Sequence, residues 1–330
     1  MAAKKNGKKL MIVGTAKMVP GERTRGELVL GHYPDSPIVA PVNIVCGEKK
    51  GPTLWIQGCI HGGEVGGPVS MLRFLDSLDL KTMKGSIVAV MIANPTAFRA
   101  NGRNTPFDGE NMNRVFPGSA KGPHTQQAAN TLLTTTKRVA DAMLDLHSGG
   151  DRTTVPFYAI FRKENTPTSR AAEKLARAAG TPDIWASTDD WLRGAMFTRL
   201  TGDGIPALIV ECGGGSTVTE SDLKNFLAAM QGVSQALGIL PGAPPTRKKY
   251  RIVDQGLLVY SKKGGLFRPS VKPGAVVKKN QILGRLMDLY GGVAEVVRSP
   301  AGPGWISSIR RSYMPVYSGD QIAEVIRIQN

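Results

Sequence analysis

The chain has 330 residues, of which 41% are hydrophobic and 21% are charged, as is usual for folded soluble proteins. No apolar stretch approaches the roughly 20 residues that cross a bilayer, and the first apolar run is shorter than a signal-peptide core. The composition therefore argues against a membrane partner, and we expect a cytoplasmic protein with a frayed basic tail at its N-terminus.

The formal net charge is +16 and is unevenly distributed along the chain. Residues 246–330 hold 15 Lys/Arg against 5 Asp/Glu, whereas residues 51–245 hold 18 against 17. A basic surface can attract nucleic acid, anionic membranes or acidic small molecules. The basic residues are scattered and lack the interleaved aromatic residues of single-strand binders. We therefore expect no nucleic-acid partner, and the charge favours an anionic small-molecule substrate.

Cysteine usage is consistent with the expected cytoplasmic location. The three cysteines, Cys46, Cys59 and Cys212, are too few and too widely spaced for a disulfide framework or a Cys-x-x-Cys zinc knuckle. Each lies in or beside an apolar segment. We expect three small buried hydrophobic side chains in a reducing compartment.

The predicted elements alternate between strands and helices through the middle of the chain. Residues 1–50 are β-like, with strands at 9–14, 25–30 and 38–45 that we expect at the edge of the main sheet. Then come, in order, strands and helices at 53–57 (strand), 65–78 (helix), 86–93 (strand), 124–143 (helix), 142–146 (strand), 156–161 (strand), 168–179 (helix), 205–211 (strand) and 220–237 (helix, capped by Thr219). This alternation predicts an α/β domain with a mostly parallel or mixed sheet.

The texture of the sequence changes after residue 240. The segment LPGAPPTRKK is rich in proline, glycine and charge, which is typical of a linker. After it come short strand-like pieces between glycine turns, at 256–260, 265–267, 276–277, 281–287, 292–297, 304–309 and 321–328. We expect an α/β domain over 1–240, a linker over 241–249 and a small all-β domain over 250–330.

Polar side chains follow several of the predicted strands. In an open α/β sheet, ligands bind beyond the carboxyl ends of the strands, so these side chains are expected to share one rim. Two of the four histidines and two carboxylates fall at such positions. The residues that end or follow the strands are His61 and Glu64, Asn94, His147, and Glu211.

Together, these residues fit a catalytic metal site. His61, Glu64 and His147 would form a His₂Glu set, which catalytic zinc sites combine with one open position. The glycines between His61 and Glu64 would let the backbone turn both side chains toward one ion. Such an ion lowers the pKa of a bound water from about 15.7 to about 7. Glu211 would be free to act as a general base and then acid, and Asp145 could support His147 from behind.

Taken singly, each of these residues has a plainer interpretation. A lone His-x-x-Glu pair is more often surface or helix-cap chemistry, and a lone histidine such as His147 is more often a satisfied core residue. Glu211 could be a cap or an ion-pair partner. However, nothing obvious neutralises an acid that follows an apolar strand and precedes three glycines.

A long polar segment over residues 94–118 follows the strand at 86–93. It carries Arg103 and Arg114, whose planar guanidinium groups suit carboxylates and oxyanions. The alternative is a solvent-exposed loop with incidental arginines. Its position at the same rim of the sheet favours a role in binding.

The combined motifs resemble the succinylglutamate desuccinylase/aspartoacylase family, within the zinc carboxypeptidase-like fold group. The resemblance covers about residues 50 to 215, and the all-β tail is similar to that of bacterial members, including N-acetyl-diaminobutyrate deacetylases. The motifs are His61-Gly-Gly-Glu64, Asn94-Pro-x-Ala97, Arg103, Asn111-Met-Asn113-Arg114-x-Phe116-Pro-Gly118, Asp145-Leu-His147-Ser and Val210-Glu211. Human-type aspartoacylases have Asp where this chain has Asn111, which loosens any inference about the substrate.

The resemblance implies a fold, a cofactor and roles for individual residues. The fold would be a mixed sheet with helices on both faces, and one Zn²⁺ would bind to His61, Glu64 and His147. Arg103 would polarise the scissile carbonyl and hold its oxyanion. The remaining implied roles belong to Asn113 and Arg114 (substrate carboxylate), Glu211 (base and proton shuttle) and either Tyr290 or Tyr313 (the family's contributed tyrosine).

The β-rich tail also resembles the barrel-sandwich turn of biotinyl and lipoyl carrier domains, over residues 271–284. A carrier needs an exposed lysine at a hairpin tip, and the counterpart segment over 291–298 has none. We therefore interpret the tail as a lid, an assembly surface or a specificity element.

These observations leave three functional hypotheses. The first is a zinc amidohydrolase that removes the acyl group from an N-acyl amino acid or a related carboxylate. The second is a carboxypeptidase-like hydrolase of a short or modified peptide, and the third is a non-catalytic binding protein that keeps the fold. The sequence leaves open whether the chain forms a homo-oligomer.

Overall fold

The computed structural model describes residues 11–328. The basic N-terminal tail and the start of the strand expected at 9–14 lie outside the described residues. In this part of the chain, none of the helices combines the length and apolarity needed to cross a membrane. Its six α-helices are α1 (Gly66–Asp76), α2 (Pro95–Arg99), α3 (His124–Val139), α4 (Pro167–Ala178), α5 (Met196–Gly202) and α6 (Glu220–Ala236).

Most of the strands belong to one mixed sheet. A two-stranded ribbon of β1 (Ile12–Val13) and β2 (Ala16–Lys17) precedes it. From one edge, the α/β half of the sheet runs β3 (Arg23–His32), β4 (Pro37–Cys46), β6 (Lys84–Val90), β5 (Lys49–Gly58), β7 (Ala142–His147), β10 (Ala207–Gly214), β8 (Thr153–Arg162) and β9 (Asp183–Ser187). The expectation that the N-terminal strands form the edge of the main sheet is confirmed.

The centre of this sheet is parallel. Strand β5 runs parallel to β6 and β7, and β7 runs parallel to β10. Strand β4 is antiparallel to both of its neighbours, whereas β8 is antiparallel to β10 and parallel to β9. The carboxyl ends of β5, β7 and β10 therefore lie side by side at one edge of the molecule. This alignment brings the predicted site residues together.

Helices cover both faces of the sheet, which explains why its central strands are apolar without alternation. Trp55 points into one core, beneath α3 and α5. Its neighbours Leu54 and Ile56 point into a second core, beneath α1, α4 and α6. The cysteines are buried free thiols, as expected.

The C-terminal part is built from strands, and residues 251–328 contain no helix. Four of its strands continue the main sheet beyond β9, and four more form a separate sheet over their own core. The first group is β11 (Arg251–Tyr260), β18 (Gln321–Ile328), β16 (Gly304–Arg310) and β13 (Val276–Val277); the second is β17 (Met314–Val316), β12 (Gly265–Pro269), β14 (Ile282–Met287) and β15 (Val293–Arg298). Because β11 pairs with β9 and β16 also touches β8, the all-β part is continuous with the main sheet.

Several local predictions differ from the structure in their boundaries. The helix expected over 124–143 ends at Val139, because the chain must become extended at Ala140 to enter β7. Strands β9 and β17 were not predicted from the sequence. The cap predicted at Thr219 is confirmed, since Thr219 and Asp222 form a reciprocal capping box at the start of α6.

This capping box gives a stability prediction away from the candidate site. Thr219→Ala removes the oxygen that accepts the Asp222 backbone N–H at 3.2 Å. We expect the free energy of unfolding to fall by about 1 kcal/mol in chemical denaturation. Thr134→Ala, at an exposed position inside α3, is the matched control and should change it by less than about 0.5 kcal/mol. Equal effects of the two changes would contradict the cap.

Candidate metal centre

A cavity of about 290 Å³ opens where β5, β7 and β10 end. His61 and Glu64 reach it from the turn after β5, His147 from the last residue of β7, and Glu211 from β10. In the register of the two parallel strands, Glu211 stands opposite His147. The structure thus brings together the side chains that the sequence placed at three separate strand ends.

The turn that presents His61 and Glu64 depends on close backbone packing. A Cβ at Gly62 would lie 2.0 Å from the carbonyl oxygen of Ala97 in α2, so only glycine fits there. The left-handed residue of the turn is Cys59, with φ of 51°. The sequence suggests that these glycines allow a tight turn. In the structure, glycine is required at position 62 because the backbone there packs against α2.

The three predicted metal ligands form one buried cluster. The Nδ1 atom of His61 lies 2.8 Å from Oε1 of Glu64, and Nδ1 of His147 lies 2.9 Å from its Oε2. All three side chains are at least 96% buried, and their donor atoms lie within 4.8 Å of one another. One ion could contact all three.

The hydrogen-bond partners of the imidazoles show why a cation fits this cluster. Nε2 of His61 lies 3.1 Å from the side-chain oxygen of Asn111, an acceptor that favours a proton on this nitrogen. Nε2 of His147 lies 3.1 Å from Oδ2 of Asp145, an ion-pair distance without hydrogen-bond alignment. In neutral imidazoles with their protons at Nε2, both Nδ1 lone pairs would face the Glu64 carboxylate. A metal ion between these atoms would turn the repulsion into coordination.

The pKa shifts of the three residues differ in direction. Burial and the nearby Arg103 guanidinium lower the pKa of His61 to about 4, so its imidazole is neutral at pH 7. Burial opposes ionisation of Glu64, but the two imidazoles outweigh it and hold its pKa below the usual range. Burial likewise lowers the pKa of His147, and the Asp145 and Glu64 carboxylates reverse that effect and raise it.

Glu211 lies beside the cluster but is not one of its ligands. Its Oε2 is buried and has no hydrogen-bond partner among residues 11–328. Burial raises the pKa of Glu211 to about 8; the charge of Glu64 adds to the shift and that of His147 opposes it. A carboxyl group with this proton affinity can accept and release a proton near neutral pH.

The glycines after Glu211 have a packing role. Gly214 has φ of 111°, and a Cβ there would lie 2.6 Å from Cα of Gly149. The ladder between β10 and β8 shifts its register between Glu211 and Gly213. These glycines let the end of β10 pack against the 149–153 loop that borders the cavity.

Both predicted arginines line the cavity, in different settings. Arg103 is about half exposed, and its Nη1 lies 3.5 Å from Oε1 of Glu64. Arg114 is partly buried; its guanidinium stacks over Trp191 at 5.0 Å, and its Nη1 donates to the backbone oxygen of Asn113. Burial and the charge of Arg103 lower the pKa of Arg114 to about 10, so it stays a cation at pH 7.

Asn113 is buried, and the oxygen of its side-chain amide is used in a hydrogen bond within the fold. Its Oδ1 accepts a hydrogen bond from the backbone N–H of Met196 at 3.0 Å. Its Nδ2 lies 3.4 Å from Nε2 of His147 and borders the cavity. The amide N–H group therefore remains as the part of Asn113 that could contact a ligand.

Three residues placed near the site by sequence reasoning do not line the cavity. Asn94 is fully buried and caps α2, with its side-chain oxygen accepting from the N–H of Ala97. Tyr290 and Tyr313 lie in turns of the C-terminal part and are 100% and 62% exposed, respectively. Tyr158 of β8 lines the cavity instead, and it is buried against Trp305.

The C-terminal part contributes to the cavity wall. A lid or specificity element was among the interpretations of this part of the sequence, but the residues that form the wall were not predicted. The signal that could have revealed it is the acid in β18, QIAEVIRI, an otherwise mostly apolar strand that resembles the Glu211 strand. The contributing residues are Ser308, Arg310, Asp320, Gln321 and Glu324.

Comparisons with known proteins agree with this geometry. Residues 50–237 match the succinylglutamate desuccinylase/aspartoacylase catalytic domain. The chain is 29% identical over 301 residues to the N-alpha-acetyl-L-2,4-diaminobutyric acid deacetylase of Halomonas elongata, covering 88% of this chain and 86% of that protein.

Solved structures give the same result for the fold. The product-bound ectoine utilization protein EutE (DoeB) of Ruegeria pomeroyi is similar with a TM-score of 0.82 and 26% identity, over 92% of this chain and 94% of that one. A succinylglutamate desuccinylase from Silicibacter sp. TM1040 has a TM-score of 0.83 at 23% identity, over 97% and 100% of the two chains. The matched residues include every member of the buried His-Glu-His cluster and Glu211. The chain thus belongs to the succinylglutamate desuccinylase/aspartoacylase family, with its mixed α/β fold.

Proposed function

We propose that this protein is a zinc-dependent amidohydrolase that removes the acyl group from an N-acyl amino acid. The observation that carries the proposal is the convergence of a buried three-ligand cluster, the buried acid Glu211 and two arginines on one cavity. The Halomonas relative, a deacetylase of an acetylated amino acid, supports the same reaction class.

The donor set fits one Zn²⁺. His61 and His147 would bind it through Nδ1 and Glu64 through its carboxylate, which are ligand types that catalytic zinc uses. Catalytic zinc sites combine three protein ligands with one open position, and this donor set would allow the same. When bound there, zinc supplies a Lewis acid that lowers the pKa of water and polarises a carbonyl.

The residues around the cluster would bind and orient the substrate. The fixed cation of Arg114 and the N–H group of Asn113 would hold the substrate carboxylate. Arg103, about half exposed and 3.5 Å from Glu64, would donate to the oxygen of the scissile carbonyl as negative charge develops on it. These contacts would fix the amide carbon beside the cluster.

Glu211 would move the proton. Its carboxylate accepts a proton from the attacking water while the water oxygen bonds to the acyl carbon. It then donates that proton to the departing nitrogen as the carbon–nitrogen bond breaks. The products are a free carboxylic acid and a free amino acid, and the carboxyl group of Glu211 returns to its starting state.

A substrate screen tests the proposal directly. We expect hydrolysis of one or more members of a panel of N-acetyl, N-succinyl and N-formyl amino acids, measured by release of the free amine. A chelator should abolish turnover and added Zn²⁺ should restore it. Cleavage of peptides alone, stopped by a blocked C-terminus, would favour a carboxypeptidase; no turnover of either class by zinc-loaded protein would reject the proposal.

Metal content tests the ligand assignment separately from activity. We expect about one zinc per chain in the wild type and a large loss of bound zinc in His61→Ala, because one of three protein ligands is removed. His32→Ala, at an exposed histidine at the end of β3, is the matched control and should keep full stoichiometry. Elemental analysis after dialysis measures both. Full zinc content in His61→Ala would contradict this ligand set.

Replacement of Glu211 tests the proton-transfer role. Glu211→Gln keeps the shape of the side chain but removes its basicity, so we expect kcat to fall by about 10²–10⁴-fold. Zinc stoichiometry and melting temperature should stay near those of the wild type, because Glu211 is not a ligand of the cluster. Unchanged kcat would rule out Glu211 as the base, and lost zinc would show that it acts as a ligand.

The two arginines should affect different kinetic constants. Arg103→Gln removes a donor to the developing oxyanion, and we expect kcat to fall by about 10²-fold. Arg114→Gln weakens ground-state binding of the carboxylate, and we expect KM to rise by about tenfold or more. Arg99→Gln, outside the cavity and stacked on Tyr33, is the control for both. Reversed effects would exchange the two roles.

A further inference from the structure

Glu324 is a buried acid that the proposed reaction does not use. It lies in β18, between the apolar residues Ala323 and Val325, and only 6% of it is exposed. Although it belongs to the C-terminal strands, it lines the same cavity as the His-Glu-His cluster. A carboxyl group at such a position costs free energy unless something in the cavity compensates it.

The contacts of Glu324 leave half of its carboxyl group available. The hydroxyl of Ser307 donates to Oε2 at 2.7 Å. In residues 11–328, Oε1 of Glu324 accepts no hydrogen bond. It is not among the polar atoms that are fully buried without a partner, so a molecule in the cavity can reach it. The side chain is thus held on one oxygen and free to bind on the other.

The other acids of the cavity are already assigned. Glu64 is shared between two imidazoles, and Glu211 has the proton-transfer role. Asp320 pairs with Arg310 at 3.2 Å, and Asp151 lies 3.7 Å from Arg152. By contrast, within the described residues Glu324 has no cationic partner at or below 4.0 Å. It is the acid best placed to receive a positive charge from outside the protein.

The position of Glu324 relative to the carboxylate subsite fits one molecule. Arg114 and Glu324 both line the cavity, and among the cations Arg114 acts most strongly on Glu324. An amino acid with a short basic side chain carries its carboxylate and its ammonium group a few bonds apart. Adjacent cationic and anionic groups in the protein would match that pair.

We propose that Glu324 is a specificity-determining residue that forms an ion pair with a positively charged side chain of the N-acyl amino acid. The substrate class is therefore an N-acylated diamino acid, acylated at the α-nitrogen. This inference rests on the proposed function. Burial raises the pKa of Glu324 to about 7, and a cationic ligand would favour its ionised form.

Paired substrates give the decisive kinetic test. Nα-acetylated diaminobutyrate, ornithine and lysine have cationic side chains. They are compared with N-acetylnorvaline, whose side chain is neutral, and with N-acetylglutamate, whose side chain is anionic. We expect the wild type to prefer a cationic member by tenfold or more in kcat/KM, and the preferred chain length reports the distance to Glu324. Glu324→Gln should reduce kcat/KM for that substrate by about 30-fold or more, and that for N-acetylnorvaline by less than threefold.

Two further variants separate recognition from folding. Glu324→Gln keeps an oxygen for the Ser307 hydroxyl, and Glu324→Asp keeps the charge and should retain part of the cationic preference. Asp320→Asn alters an acid of the same wall that Arg310 already neutralises, so the cationic-to-neutral ratio should change by less than threefold. Equal losses for cationic and neutral substrates in Glu324→Gln would show a structural role and overturn the proposal.

A binding measurement distinguishes this inference from the reaction itself. Calorimetric titration with free 2,4-diaminobutyrate and with norvaline needs no turnover. We expect tighter binding of the diamino acid to the wild type and loss of that difference in Glu324→Gln. Hydrolysis of neutral substrates without any cationic preference would reject the inference and keep the proposed function. If the protein hydrolyses none of the substrates but binds the diamino acid more tightly in a Glu324-dependent way, the proposed function would be rejected and the inference about Glu324 kept.

Discussion

The structure depends on one buried electrostatic contact, the Glu64 carboxylate between two imidazoles at 2.8 and 2.9 Å. Each imidazole is oriented from behind by an oxygen near its Nε2, so both Nδ1 atoms converge on the same carboxylate. Such an arrangement is favourable only with positive charge at its centre, as protons or as a metal ion. The parallel pairing of β5 with β7 and the contact between Gly62 and α2 hold it in place.

Around this contact, the charged side chains of the cavity differ in protonation and exposure because their surroundings differ. The acid in the cluster is ionised because two imidazoles surround it, whereas Glu211 in β10 keeps a high proton affinity because burial dominates. Two carboxyl groups at the same edge of the sheet thus differ in proton affinity because their surroundings differ. The arginines differ in the same way, since Arg103 faces the cluster from a half-exposed position and Arg114 is fixed against Trp191.

Much of the fold and most of the site could be predicted from the sequence, because both follow from local patterns. Apolar runs identified the central strands, and polar residues at their ends identified His61, His147 and Glu211. The family assignment, the position of β3 and β4 at the sheet edge, and the Thr219 cap are confirmed. Asn94 was assigned to the rim because chain position alone does not show that its side chain caps α2. The cavity wall from the C-terminal part depends on the pairing of β11 with β9 and of β16 with β8, contacts between residues far apart in sequence.

That pairing explains how one cavity can combine a fixed ligand cluster with adjustable recognition of the substrate. The proposed chemistry lies at the ends of β5, β7 and β10, which the α/β core holds from both faces. The proposed recognition of the substrate side chain lies on β18, which joins the same sheet through β11. Because the two sets of residues share a sheet, their relative position is fixed by backbone hydrogen bonds. Because they come from different segments, a substitution in β18 can alter the charge that the cavity accepts and leave the ligand cluster intact. On this view the C-terminal strands are a specificity element continuous with the catalytic sheet.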